Sequence, residues 1–564
     1  MRHKTREAPV IAGLMLTSLA LTNPQAPNHM QVDEVFTRWD RPDTPGCAVS
    51  VMQSGRIVYS QGYGAANLEY DIPITPRTTF HVASLSKQFT ALAVALLVAD
   101  GKISWDDDIR QYVSEVPDLG ERITLRQLAT HTSGFRDQWS LLRMAGWRWE
   151  EDVVKQGDVL DVVSRQRSLN FPSGSEFLYS NTGYTLLAVV VERQSGQSLS
   201  HFADERIFSP LGMRQTRFVD THTALVRDRA YAYRLGDDGA YRLNIPVFET
   251  VGPTNLFTTV EDLARWDRNF YTAELGGRSL LDDLHRTGVL RDGRRISYAA
   301  GLVHGRYRGH ATVGHGGADA GYRSEFLRFP EQRLTIAVLC NEPSSDPDRL
   351  VRSVADVYLD GAESAAPELL VSVPAGTAGS SLTGSGDVVG SPVAALEKLT
   401  GFYRREESDL PLQLIVREGA LTILTGDAIG MLVPLGADRF RLAGSSTVGT
   451  FTWPAEGSAA LQLTGPVGGR YRQESRWRPQ ADELTRFVGS YYSRELGVQY
   501  SLTVQGSHLT LQHRRLGRQV LVPTYSGGFF TAGFYLAFTQ GDGGAVDGFT
   551  ISTQRAWKVR FDRQ

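Results

Sequence analysis

Ser84 and Lys87 stand three residues apart in "HVASLSKQFTALAVALLVADGK" (residues 81–102), where a short polar cluster runs into an almost wholly apolar helix. Three residues on a helix is nearly one turn, so both side chains leave the same face. A lysine so placed can take a serine's proton if burial or a neighbouring cation destabilises its ammonium. The start of the helix adds unused backbone N–H groups, which suit a developing oxyanion. By itself the spacing is weak, because a chain of this length holds about two S-x-x-K matches by chance. In isolation, a capping Ser84 and a snorkelling Lys87 explain it better.

Two later stretches add chemistry. "PSGSEFLYSNTGYTLLAVVVERQSGQ" puts Tyr179 and Asn181 in a loop just before a second apolar helix, and "TVGHGGADAGYRSEF" puts His315, Gly316 and Gly317 at a strand or its turn. Each residue has a plain alternative. Tyr179 can be a packed tyrosine, Asn181 a helix N-cap, His315 a loop histidine and His131 of "THTSG" a structural one.

In order along the chain, S-x-x-K, Y-x-N and H-x-G resemble the serine β-lactamase and penicillin-binding-protein superfamily. The likeness is to its class C-like branch, of D-aminopeptidase, DD-peptidase and esterase type. "LATHTSGF", "YSNTGYTLLA", "IFSPLGM" and "TTVEDLARW" look like that family too, so the resemblance spans roughly residues 31–355. It implies an α+β, β-lactamase/transpeptidase-like fold: an antiparallel sheet flanked by helices, an all-helical subdomain, and the site between them. Carried over by motif position, Ser84 is the nucleophile, Lys87 its general base, and Tyr179 the acid/base that protonates the leaving group. Asn181, His315, Gly316 and Gly317 would bind substrate, and the backbone N–H groups of Ser84 and Ala318 would form the oxyanion hole. The family needs no cofactor or metal, and neither H-E-x-x-H nor a zinc-spaced cysteine pair occurs.

The sequence departs from most β-lactam hydrolases and carboxypeptidases at residues 315–317. Those carry Lys or His, then Thr or Ser, then Gly, and the hydroxyl holds a substrate carboxylate. Gly316 has no hydroxyl, and His315 is mostly neutral at pH 7. Expectation therefore moves from β-lactamase towards hydrolysis of D-amino-acid peptides, amides or esters. Carboxylesterase and β-lactamase remain alternatives, as does a binding or sensing protein on this fold. The substrate expected is a small peptide, ester or β-lactam, with cell-wall-derived peptides included. An α/β-hydrolase is disfavoured, since no G-x-S-x-G is present.

These residues must be positioned by a large domain. Of 564 residues, 41% are apolar and 21% charged, which is enough for a sizeable core and too long for a single one. A net charge of −3 gives no argument for nucleic acid. "CAVSVMQSGRIVYSQGYG" reads as a hairpin turning at Ser54-Gly55, and "SEFLRFPEQRLTIAVLCN" as two strands joined near Pro330 and Glu331. Thr124 with Gln127, and Thr259 with Asp262, sit at capping spacing before helices. If the family geometry holds, Cys47 begins the first strand and Cys340 ends the last, so the two could be bridged.

The hydrolase-like region is assigned to residues 31–360. Residues 1–26, a basic start followed by a short apolar run, read as a signal peptide and predict export with no membrane span in the mature chain. A frayed N-terminal extension is the alternative. Residues 361–395, rich in Gly, Ser, Ala and Pro, read as a linker. Beyond it, "LTGFYRREESDLPLQLIVREGALTIL" repeats as "FVGSYYSRELGVQYSLTVQGSHLTLQ". This predicts two small antiparallel β units, barrels or sandwiches, over 396–480 and 481–564. No catalytic constellation is visible in them, so a lid, spacer or wall-binding role is expected.

Overall fold

The first hairpin turns where Ser54 and Gly55 both take positive φ, 52° and 74°, which a glycine accepts without strain. Its arms, β1 (Cys47–Gln53) and β2 (Arg56–Tyr63), end a six-stranded antiparallel sheet. The other four strands come about 250 residues later by the numbering: β3 (Val303–Tyr307), β4 (His310–Asp319), β5 (Tyr322–Phe329) and β6 (Leu334–Cys340). The order is β3-β4-β5-β6-β1-β2, so the first and last strands of the domain are neighbours. The structure, a computed structural model, describes residues 29–359 except 150, and 396–564 except 426–427, 437, 444–447, 453–458 and 465–467. The expected signal peptide and linker lie outside the described residues.

Both faces of the central strands are covered, and β1 and β6 alternate between two cores accordingly. Ala48, Met52, Ala337 and Leu339 join one apolar cluster with Phe89 and Leu92 of helix α2 (Ser86–Ala99). Val49, Val51, Ile336 and Val338 join another, with Val32 and Phe36 of α1 (His29–Phe36) and Leu350 and Val351 of α7 (Pro347–Tyr358). Between hairpin and late strands lie α3 (Leu125–Ala129), α4 (Gln138–Met144), α5 (Asn181–Ser195) and α6 (Val260–Thr272). The capping signals hold: Thr124 and Gln127 form a reciprocal box at α3, and Thr259 accepts from the Asp262 amide at α6. Helix α2 is buried almost throughout, as expected of a helix apolar all round.

Cys47 and Cys340 face each other in register on β1 and β6 and are disulfide-bonded. The bond joins residues 293 apart in sequence. Closing so long a loop removes disorder from the unfolded chain, a contribution of about 2–5 kcal/mol.

The C-terminal region forms two closed eight-stranded antiparallel barrels, with strands running from Gly401 to Glu474 and from Gly489 to Arg563. The repeat is visible in detail. Tyr403 and Tyr491 hold matching places and donate their buried hydroxyls to the carbonyls of Leu399 and Phe487, four residues earlier. The first barrel packs a core of its own, whereas the second shares one continuous apolar cluster with the N-terminal α+β domain. Arg136 fastens that junction. Its buried guanidinium reaches Glu495 at 2.5 Å, Gln166 at 3.0 Å and the carbonyls of Trp557 and Lys558. The chain is thus an α+β domain, a six-stranded antiparallel sheet covered by helices, followed by two antiparallel β barrels.

Candidate active site

The site begins with a tight approach of strand to helix. A 3-10 turn, Ala83–Leu85, leads into α2 and carries Ser84. Ala83 takes φ 48°, an uncommon backbone state for a residue with a Cβ. Glycines let the neighbouring segments close in. A Cβ at Gly317 would lie 2.3 Å from the Val82 carbonyl and 3.0 Å from the Ser84 amide, and one at Gly301 2.7 Å from the Gln88 amide. No other residue type fits there. Strand β3 pairs with β4 only as far as Gly314, so from His315 to Asp319 β4 presents one open edge to the cleft. Gly317, next to Ala318, is the β4 glycine closest to the Ser84 amide by that measure.

Lys87 is fully buried. Its Nζ donates to Ser84 Oγ at 3.1 Å, Asn181 Oδ1 at 2.9 Å and the Pro253 carbonyl at 2.8 Å. Burial pulls its ammonium down to about 7, with Asp319 and Asp137 opposing and the charge of Arg555 adding to the fall. Tyr179 is buried beside them, with its ring 4.8 Å from Lys87 Nζ. Burial raises its hydroxyl above the usual range, against the lowering effects of Ser84 and Arg555. At rest, therefore, the tyrosine holds its proton and the lysine can be free of one. This is the arrangement of a base and an acid flanking a single hydroxyl.

Asn181 is the first residue of α5, not its cap. The N-cap position is Ser180, with no side-chain capping bond. Asn181 is instead held by Asp137, which accepts from its backbone N–H at 2.8 Å and its Nδ2 at 2.9 Å while also capping α4. With Nδ2 so occupied, Oδ1 is turned to Lys87. His131 packs its ring 4.2 Å from that of Tyr179 and accepts the Ser180 N–H, which fixes the height of the tyrosine.

His315 is buried and neutral, pushed down to about 3 by burial and then by Lys87. Its Nδ1 donates to the Gly316 carbonyl at 2.6 Å, leaving Nε2 to accept from Tyr298 Oη at 2.8 Å. Gly316 faces Glu325 across β4 and β5, and a Cβ there would lie 2.5 Å from Glu325 Oε2, so a larger residue would have to displace the end of that side chain.

The structure brings Ser84, Lys87, Tyr179, Asn181 and His315 into one cleft. It also supplies participants that local spacing did not reveal: Asp137, Tyr298, the Pro253 carbonyl and Arg555. Arg555 comes from the second barrel, on the turn between strands Val546–Ser552 and Val559–Arg563. The Asp137 N–H and Asn170 Nδ2 both donate to its carbonyl at 3.0 Å, and its guanidinium lies 4.9 Å from the centre of the Tyr179 ring. The second barrel is therefore part of the site wall and more than a spacer. Removing this cation should favour the ammonium of Lys87. Arg555→Gln is expected to move the acid limb of the kcat/KM profile to higher pH and to lower activity at pH 7 by about tenfold. An unmoved limb in a stopped-flow pH series would contradict that role.

Comparison with known proteins identifies the family. A family model described as Beta-lactamase matches residues 33–359. The chain is 30% identical over 336 residues to Penicillin-binding protein 4* of Bacillus subtilis, covering 57% of this chain and 73% of that protein. It is 28% identical over 302 residues to a D-aminopeptidase of Gluconobacter oxydans, covering 53% and 56% respectively. The chain thus spans little more than half the length of that relative. Among solved structures, the octameric penicillin-binding protein homologue from Pyrococcus abyssi superposes with a TM-score of 0.54 at 21% identity. That match covers 79% of this chain and 99% of the other. SurE superposes with a TM-score of 0.52 at 22% identity, with the same coverage. The chain is a serine hydrolase of the beta-lactamase family.

Proposed function

We propose that the protein hydrolyses D-aminoacyl peptides, amides or esters through an acyl-enzyme on Ser84. The observation that carries the mechanism is Lys87, desolvated and 3.1 Å from Ser84 Oγ. Lys87 Nζ takes the serine proton as Oγ attacks the carbonyl, and the Ser84 and Ala318 N–H groups receive the oxyanion. Tyr179 gives its proton to the departing amine or alkoxide. In the second half, water attacks the ester and gives a proton to the Tyr179 phenolate. The Lys87 proton then returns to Ser84 Oγ, so each group ends as it began.

The D-aminoacyl part is supported by the likeness to D-aminopeptidases. The neutral His315 and the hydroxyl-free Gly316 also weaken the anion clamp that a β-lactam carboxylate would use. Arg555, beside the tyrosine on the leaving-group side, offers a partner to the carboxylate of a departing amino acid. The test is release of p-nitroaniline from D- and L-alanine p-nitroanilide. A preference for the D form of about tenfold or more is expected. A preference for the L form, or turnover of p-nitrophenyl esters alone, would replace this reading with the esterase one.

A further inference from the structure

Asp319 is a half-buried carboxylate that the mechanism above does not use. It ends β4, and by the two-residue alternation of a strand His315, Gly317 and Asp319 share the face towards α2. Gly317 lies over the Ser84 amide. His315 and Asp319 therefore flank the nucleophile, each about 7 Å from Gly317 along the strand. The Tyr179 ring is 6.2 Å from that of His315. A leaving group on that side sends the acyl group past Ala318 towards Asp319.

The surroundings of the carboxylate suit an arriving cation. Thr254 Oγ1 donates to Oδ2, and the neutral His81 has Nε2 4.0 Å from the same oxygen. Among the described residues Oδ1 accepts no hydrogen bond, and the side chain keeps 23% of its surface accessible. Arg323 contributes charge, but its Nη1 is engaged by the carbonyls of Ala320 and Tyr322. Lys87 is committed to Ser84, Asn181 and Pro253. Burial raises the Asp319 carboxyl to about 6, opposed by Thr254, Lys87 and Arg323, so a counter-cation within hydrogen-bond reach would be strongly favoured.

We propose that Asp319 accepts the α-ammonium of the acyl donor, so that the site selects D-aminoacyl substrates whose amine is free. The inference rests on the D-aminoacyl reading and narrows it to one end of the substrate. Glu325, the other raised carboxyl nearby, cannot serve, since it faces α7 with Gly316 on the opposite side of the sheet.

The test separates binding from turnover. In the full-length Ser84→Ala protein, D-alanine p-nitroanilide and its N-acetyl form are titrated calorimetrically, with and without Asp319→Asn. The free amine is expected to bind about tenfold or more tightly than the acetylated form, and Asp319→Asn to abolish that difference while leaving the acetylated ligand unchanged. Equal binding of both forms to the parent, a difference that survives in Asp319→Asn, or an equal loss of both ligands would overturn the assignment. The last is what a mere counter-ion of Lys87, or a disturbed fold, would produce. Failure of the broader reading would show elsewhere, as absence of anilide hydrolysis by the unmodified enzyme.

Discussion

Ser84→Ala is expected to reduce turnover of every acyl substrate by a factor of about 10⁴ or more, with the thermal midpoint little changed. The expected size follows from the role. The other groups of the site act on the serine's proton or on the intermediate it forms, so none of them substitutes for the nucleophile. The small structural cost follows from the position. Ser84 is only partly buried at the cleft, and its hydroxyl is paired with Lys87 rather than with the backbone that shapes the turn. Steady-state rates on an ester and an anilide, with a melting curve, decide the point. Residual turnover within tenfold of the parent would move the nucleophile elsewhere.

Lys87→Met should be nearly as damaging to activity and should leave stability intact or improved. Loss of a general base at this position costs about 10²–10⁴ in kcat/KM. The unmodified enzyme should show the same dependence on pH. The base works when neutral, and its ammonium is held down to about 7. Activity therefore rises with pH through that value and levels off above it. The sign for folding runs in the same direction. The folded state binds its proton less readily than the unfolded chain, whose lysine titrates near 10.4. Between these values the unfolded state holds more protons, so stability increases as pH rises from about 7 towards 10. A methionine of similar length removes the buried amine that carries this cost. Destabilisation by Lys87→Met, or a kcat/KM profile flat from pH 6 to 8, would contradict the assignment.

The parts of the site legible in the sequence are those set by local spacing. Ser84 and Lys87 share a helical face because they are three apart, and Tyr179 and Asn181 meet them because an apolar helix, α5, follows at once and packs on α2. The β1–β2 hairpin and the caps of α3 and α6 were equally readable, since turn and cap chemistry is local. Asn181 was open to a capping role because asparagine favours that position. Ser180 takes it because Asp137, distant in sequence, claims the asparagine side chain. Asp137 itself carries a local signal, standing just before "QWSLLRM" as a helix cap, but nothing nearby shows that its second oxygen reaches α5. The barrels show the same division. Alternation and repetition announced β units, while closure into eight strands depends on pairing the first with the last, as between Phe402 and Glu474. Arg555 was illegible for a stronger reason. "STQRAWK" looks like any polar turn, and only the docking of the second barrel through Arg136 and Glu495 carries it to Tyr179.

The most direct test of the central claim is the intact mass of the full chain after incubation with a fluorescent penicillin, followed by peptide mapping. The strained ring leaves its leaving group tethered, so acylation is recorded even where hydrolysis is slow. The account predicts one adduct per chain, on the peptide containing Ser84, and none in Ser84→Ala. An adduct that persists in Ser84→Ala or maps to another residue would contradict it.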